Sequence, residues 1–186
     1  MKSVNNKIIV RVDLDQKNSM KIGEVVLSTA IKFDLNYREK SPVIAEVVSG
    51  NEWFKKRDLL IFHHNHFYSP SPYFLQDDLY AVPFNKTILA KINKDGTLSA
   101  VCGNILGQRI SIENNLSIPI EHQKKYVDRL LVTDAGWTEY KKGQTVIHRL
   151  NAGYDIVYNL NGEEKRVTKL DSEQICGILR NQLTAV

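Results

Sequence analysis

Three imidazoles crowd one short stretch, His63-His64-Asn65-His66, and such a cluster is where a zinc ion or a general base would be sought. The spacing argues against both. The stretch follows a strand-like segment, and on extended backbone His64 and His66 share one face while His63 points to the other. No cysteine or acidic residue stands at ligand spacing, so no metal is expected and the stretch reads as a polar hairpin root. The two cysteines, Cys102 and Cys176, form neither a disulfide framework nor a metal-ligand pattern. His122 and His148 stand alone and read as structural or exposed. No nucleophile, base and orienting group falls at a workable spacing. Nor does a phosphate loop, a G-x-G-x-x-G or a nucleophile elbow occur. The chain reads as a non-enzyme with no cofactor.

Charge narrows the partners. Lys and Arg number 25 against 21 Asp and Glu, a net charge of +4. The dense basic runs are Lys55-Lys56-Arg57, Lys124-Lys125 and Lys141-Lys142, each beside a turn. They read as solvated turns, so no nucleic-acid partner is expected. With 186 residues, 42% hydrophobic and 25% charged, the chain is long enough for one domain or two small ones, and wholesale disorder is excluded. No apolar run approaches the ~20 residues of a spanning helix. The first residues, Met-Lys-Ser-Val-Asn-Asn-Lys, hold no apolar leader. A cytoplasmic protein with no membrane contact is the expectation.

The elements that must position these groups are strands. Lys7 to Leu14, Val43 to Val48, Asp58 to Phe62, Ile105 to Ile112, Asp128 to Thr133, Thr145 to His148, Asp155 to Leu160 and Lys165 to Leu170 are rich in β-branched residues or alternate with period two. Turn chemistry separates them at Ser49-Gly50-Asn51, Lys94-Asp95-Gly96, Asp134-Ala135-Gly136, Asn151-Ala152-Gly153 and Asn161-Gly162. Amphipathic helices are absent. Many short strands at close spacing predict an all-β barrel or sandwich.

The two halves also resemble each other. Trp53 to Ile61 matches Glu139 to Ile147, Ile88 to Ile92 matches Ile175 to Leu179, and Val43 to Gly50 matches Val127 to Gly136, all at a nearly constant offset. The opening strands, Ile8 onward and Ile105 onward, are farther apart, so the following loop is shorter in the second copy. This is the pattern of a tandem duplication with its boundary at Asn93-Lys94-Asp95-Gly96.

The second copy carries the stronger family signal. Tyr140-Lys141-Lys142-Gly143-Gln144-Thr145-Val146-Ile147, then Ala152-Gly153-Tyr154, Glu163-Glu164 and Asp171 to Leu179, resemble the closing half of GroES-type co-chaperonins. In the first copy, Lys21-Ile22-Gly23-Glu24-Val25-Val26-Leu27, a polar stretch and Val43 to Gly50 resemble that family's mobile loop and the strand after it. Arg57 stands where the family has glycine, and the second copy has Leu116-Ser117-Ile118-Pro119-Ile120 where the loop tripeptide would fall.

The resemblance implies two tandem small GroES-like β-barrels, residues 1–94 with a loop at 18–41 and residues 95–186 with a shorter loop at 113–126. It implies a homo-oligomeric ring that caps a group I-like chaperonin and assists folding. Gly23, Val25, Val26 and Leu27, with Leu116, Ile118 and Ile120, would bind the chaperonin. The first strand of one unit would pair with the last strand of its neighbour, placing Ile8, Val10, Ile105 and Ile178 at ring interfaces. There Cys176 reads as a small buried hydrophobe, without a redox role. The alternative is a virion ring, a portal, neck or tail adaptor built on the same barrel without chaperone activity.

Overall fold

The computed structural model describes residues 6–12, 19–22, 25–28, 42–63, 66–67, 71–110, 127–149, 152–160 and 163–179, with the backbone alone at 19–22, 25–28, 127 and 159. The first half supplies strands β1 (Lys7–Arg11), β2 (Ser19–Ile22), β3 (Val25–Ser28), β4 (Val43–Ser49), β5 (Leu59–Phe62), β6 (Phe74–Gln76), β7 (Leu79–Pro83) and β8 (Ile88–Ile92). There follow β9 (Leu98–Ser99), β10 (Asn104–Ile110), β11 (Val127–Asp134), β12 (Thr145–Arg149), β13 (Tyr154–Leu160), β14 (Glu163–Asp171) and β15 (Ile175–Leu179). A 3-10 turn, Ser172–Gln174, capped by Asp171, leads into β15. The chain is all-β, as its period-two pattern predicts, and no α-helix occurs among the described residues. No helix there is long and apolar enough to cross a membrane.

All strand pairing among the described residues is antiparallel and falls into two sheets. The first runs β6-β7-β1-β4-β5-β8-β9 and the second β15-β12-β11-β10-β14-β13-β3-β2. Read in the matching direction, β6-β7-β1-β4-β5-β8 has the order of β13-β14-β10-β11-β12-β15. The irregularities repeat as well. The β1–β4 ladder slips between Ile9 and Val10, and the β10–β11 ladder between Leu106 and Gly107. The β5–β8 ladder slips between Ile61 and Phe62, and the β12–β15 ladder between Ile147 and His148. Bulges kink a strand and re-aim its side chains, so finding them at matching places gives the sequence repeat a structural counterpart. Both ladders are open among the described residues, so closure of each into a barrel is not observed.

Burial explains the unbroken apolar runs. One face of the first sheet presents Ile8, Val10, Val43, Ala45, Val47, Leu60, Phe62 and Val82 to a core completed by Phe54 and Phe67. The other face presents Ile44, Ile61, Ala90 and Ile92 to Leu106, Ile156 and Tyr158 of the second sheet. Strands covered on both sides need apolar residues at consecutive positions, and Ile8-Ile9-Val10 and Leu60-Ile61-Phe62 supply them. The second sheet's other face holds a smaller core of Ile105, Leu130, Val132, Ala135, Val146, Ala152 and Leu170.

Two expectations about edges need correction. Ile8 and Val10, and likewise Ile105, were to lie on free edges. Instead β1 is flanked by β4 and β7, β10 by β11 and β14, and all three side chains are fully buried. The cause is a returning strand in each half, β7 and β14, which pairs with the side that the resemblance leaves open. Strand β8 is also interior, between β5 and β9. Of the four residues only Ile178, on β15, lies at a sheet edge, and it is 47% exposed.

The duplicated positions test each other. In the tight turn before β5, Arg57 adopts φ 75°, and in the matching turn before β12, Gly143 adopts φ 88°. The two turns share their hydrogen bonds: Arg57 N donates to Val47 O at 2.8 Å, and Gly143 N to Val132 O at 2.8 Å. Left-handed backbone costs an L-residue ~1–2 kcal/mol, partly offset because glycine loosens the unfolded chain. Arg57→Gly is therefore expected to raise stability by about 0.5–1 kcal/mol, and Gly143→Ala to lower it by about 1 kcal/mol, both read by urea unfolding.

A second matched pair is Phe62 and His148, both fully buried beside a bulge. His148 Nδ1 lies 2.9 Å from the Arg149 carbonyl, which fixes the proton on Nδ1, and Nε2 is buried with no hydrogen-bond partner among the described residues. A buried orphan acceptor costs ~1–3 kcal/mol. Replacing it with the residue at the matching position, His148→Phe, is expected to raise Tm by about 2–4 °C in a calorimetric scan. A fall in Tm would mean that the smaller second core cannot take the larger ring.

Candidate functional site

The segment expected to bind a partner is a hairpin. Strands β2 and β3 pair in the register Ser19↔Ser28, Met20↔Leu27, Lys21↔Val26 and Ile22↔Val25. The hairpin joins the second sheet through its base, where Ser28 faces Asn159 and Leu27 faces Leu160 of β13. Val25 and Val26 lie past that ladder, with β2 as their neighbour. Residues from the first half of the sequence thus extend the sheet of the second. Gly23, and the second loop with Leu116, Ile118 and Ile120, lie outside the described residues.

The join between the halves is braced by side-chain hydrogen bonds that cross it. The outer edge of β8 is taken by β9, with Lys91 facing Ser99 and Ile92 facing Leu98. Lys86, just before β8, donates to Asp171 at 2.8 Å and to Glu173 at 2.7 Å, both just before β15. These bonds raise the Lys86 ammonium pKa. Burial pushes the Asp171 carboxyl upward, but the Lys86 bond and the Glu173 N–H outweigh it and hold it below its usual value. Buried Asn104 donates from Nδ2 to the Ile88 carbonyl at 2.7 Å, and Asp134 Oδ2 accepts from Ala100 N at 2.8 Å. β15, the counterpart of β8, pairs only with β12 among the described residues. Cys176, expected to be buried at an interface, is exposed on that edge strand.

At the same join the two matching turns bring their tryptophans together. Trp53, between β4 and β5, and Trp137, between β11 and β12, are each 48% exposed, with ring centroids 4.7 Å apart and planes tilted by 46°. Phe84 lies parallel to Trp53 at 6.3 Å and 6.0 Å from Trp137. Buried Phe54 supports them from beneath at 5.6 Å from Phe84. The turns are tightly built. Asn51 Oδ1 accepts from the backbone of Trp53 at 2.9 Å and of Phe54 at 3.0 Å. A Cβ on Gly50 would overlap the Phe54 carbonyl at 1.8 Å, and one on Gly136 would meet the Ala100 carbonyl at 2.6 Å. Sequence reasoning missed this cluster. The available signal was a tryptophan in each of two matching turns.

The groups first suspected of chemistry make hydrogen-bond and ring contacts where they are described. His66 Nδ1 lies 3.1 Å from the His63 carbonyl, its ring stacks on Tyr73, and burial lowers its pKa against the raising effect of that carbonyl. His63 sits against Tyr154, 5.1 Å between centroids, and His64 lies outside the described residues. No group of three His, Cys, Asp or Glu able to hold a metal occurs among the described residues. Burial pushes the Cys102 thiol up to about 12, so it is not a thiolate at neutral pH. No protein-family model matches the chain, and no curated protein matches it.

Proposed function

We propose that the chain is a co-chaperonin-like ring protein: two GroES-like units in tandem that assemble with further copies and cap a group I-like chaperonin in the cytoplasm. The observation that carries the reading is the join. One six-strand unit already packs on another of the same strand order through the apolar cluster of Ile44, Ile61, Ala90 and Ile92 against Leu106, Ile156 and Tyr158, and β9, the short strand that precedes the second unit, covers the outer edge of β8. The same step made between chains, at the open edge of β15, generates a head-to-tail ring. A ring that presents one β2–β3 hairpin per chain gains affinity by repetition of weak apolar contacts.

A virion ring is the second reading, and one observation favours it. The Leu27–Ser28 end of the apolar strip is held in a ladder with β13, which suits a permanent wall as well as a docking loop. Native mass spectrometry of the protein, alone and with a group I chaperonin plus nucleotide, separates the two. The co-chaperonin reading expects a ring that adds to the chaperonin only with nucleotide. A ring that ignores the chaperonin leaves the virion reading, and a monomer removes both.

A further inference from the structure

The exposed aromatic cluster of Trp53, Phe84 and Trp137 is not used in the reading proposed above. Half-exposed indoles in contact, backed by a buried phenylalanine, are the kind of anchor that dominates protein interfaces. Their surroundings say what would cover them. The same two turns carry Lys55, Lys56, Arg57, Lys141 and Lys142, all exposed, and none forms an ion pair with a described residue. Lys86, two residues from Phe84, is different, being already held by Asp171 and Glu173. The acidic groups on the turns are Glu52, Glu139, Asp58, which is bound to Lys91 at 2.8 Å, and Asp134, which accepts from the backbone N–H groups of Ala100 and Gly136. Five cations without an ion pair among the described residues therefore stand against three such carboxylates.

We propose that Trp53, Phe84 and Trp137 form a docking platform for an acidic polypeptide segment carrying an aliphatic or aromatic anchor residue. The anchor sits on the indoles, and the acidic residues flanking it meet the lysines of both turns. This is the arrangement of an apolar centre with a charged rim of complementary sign. A single-stranded nucleic acid is the weaker occupant. The indole planes are tilted by 46°, the one parallel pair, Trp53 and Phe84, has centroids only 6.3 Å apart and leaves no room for a base between its rings, and Glu52 and Glu139 stand on the same turns as the tryptophans.

The molecule carries its own reporter, because Trp53 and Trp137 are the only tryptophans of the chain. Their emission is measured while the assembled protein is titrated with a peptide of glutamates flanking a central Phe-Leu pair, with the same peptide bearing lysines, and with oligothymidine. The expected result is a blue shift with the acidic peptide, weakening as salt shortens the Debye length, and about tenfold weaker binding of the lysine peptide. The variant K55E/K56E/K141E/K142E, altered only at exposed side chains, should invert that preference while keeping the starting emission. No shift with the acidic peptide up to millimolar concentration would overturn the proposal, as would equal binding of both peptides. Tighter binding of oligothymidine would overturn it in favour of nucleic acid. The peptide comparison on the unmodified protein stands without the variant. Its failure would leave the ring reading intact, since that reading is tested by mass alone.

Discussion

A lysine in place of Ile178 is expected to leave the chain folded and to reduce its assembly to single chains. Ile178 is 47% exposed and sits on β15, whose described partner is β12 alone. An ammonium there loses little buried apolar contact within the chain. On an edge that pairs with another copy, it must be desolvated or must block the approach, which is how natural sheets protect their edges. Proline at Val10 is expected to behave in the opposite way. Val10 is fully buried and stands between Val47 of β4 and Tyr80 of β7. Removing its N–H and forcing a ring into that position costs about 3 kcal/mol or more, a large part of the ~5–15 kcal/mol that holds a domain together. Sedimentation at micromolar concentration and a thermal melt of each variant read the contrast. I178K should melt like the wild type and sediment as one chain, whereas V10P should lose its cooperative melt. An I178K protein that stays assembled would move the interface away from β15, and a monomeric wild type would end the ring reading.

Much of the fold was legible because strand pattern is local. Lys7 to Leu14 contains β1, Val43 to Val48 lies within β4, and Ile88–Ile92 and Ile175–Leu179 coincide with β8 and β15. Strands β6 and β7 carried too little signal. The first is three residues, all exposed, and the second ends on Pro83. Missing β7 had a consequence, because β7 covers β1 and converts a predicted edge into the centre of a sheet. Which strands are edges is a property of the whole pairing order, and no window of sequence contains it. The tripeptide Ile8-Ile9-Val10 did hold a clue, since a half-buried edge strand has no use for three consecutive apolar residues. The aromatic platform was hidden for a similar reason. Trp53 and Trp137 are far apart in the chain, and only the docking of one repeat on the other brings their rings to 4.7 Å.

Replacing Val25 and Val26 together by serine is expected to abolish chaperonin binding while leaving the fold and the ring intact. The register supplies the reason. Val25 and Val26 face Ile22 and Lys21 of β2, beyond the two residues of β3 that the β13 ladder holds. Both pairings of the hairpin base, Leu27↔Leu160 and Ser28↔Asn159, stay as they are. Burying a valine side chain in a partner groove is worth ~1.5–3 kcal/mol. Two per chain, repeated around a ring, sum to far more than any single contact, and a serine gives up nearly all of it. Leu27→Ser belongs to a different class, since it lies in the ladder and should lower stability as well as binding. The measurements are a pull-down with the chaperonin plus nucleotide and a thermal melt, made on V25S/V26S and on L27S in parallel. If V25S/V26S binds like the wild type, the hairpin is not the docking element. If it melts well below the wild type, the tip is part of the fold, and the same two valines become evidence for a permanent wall in a virion ring.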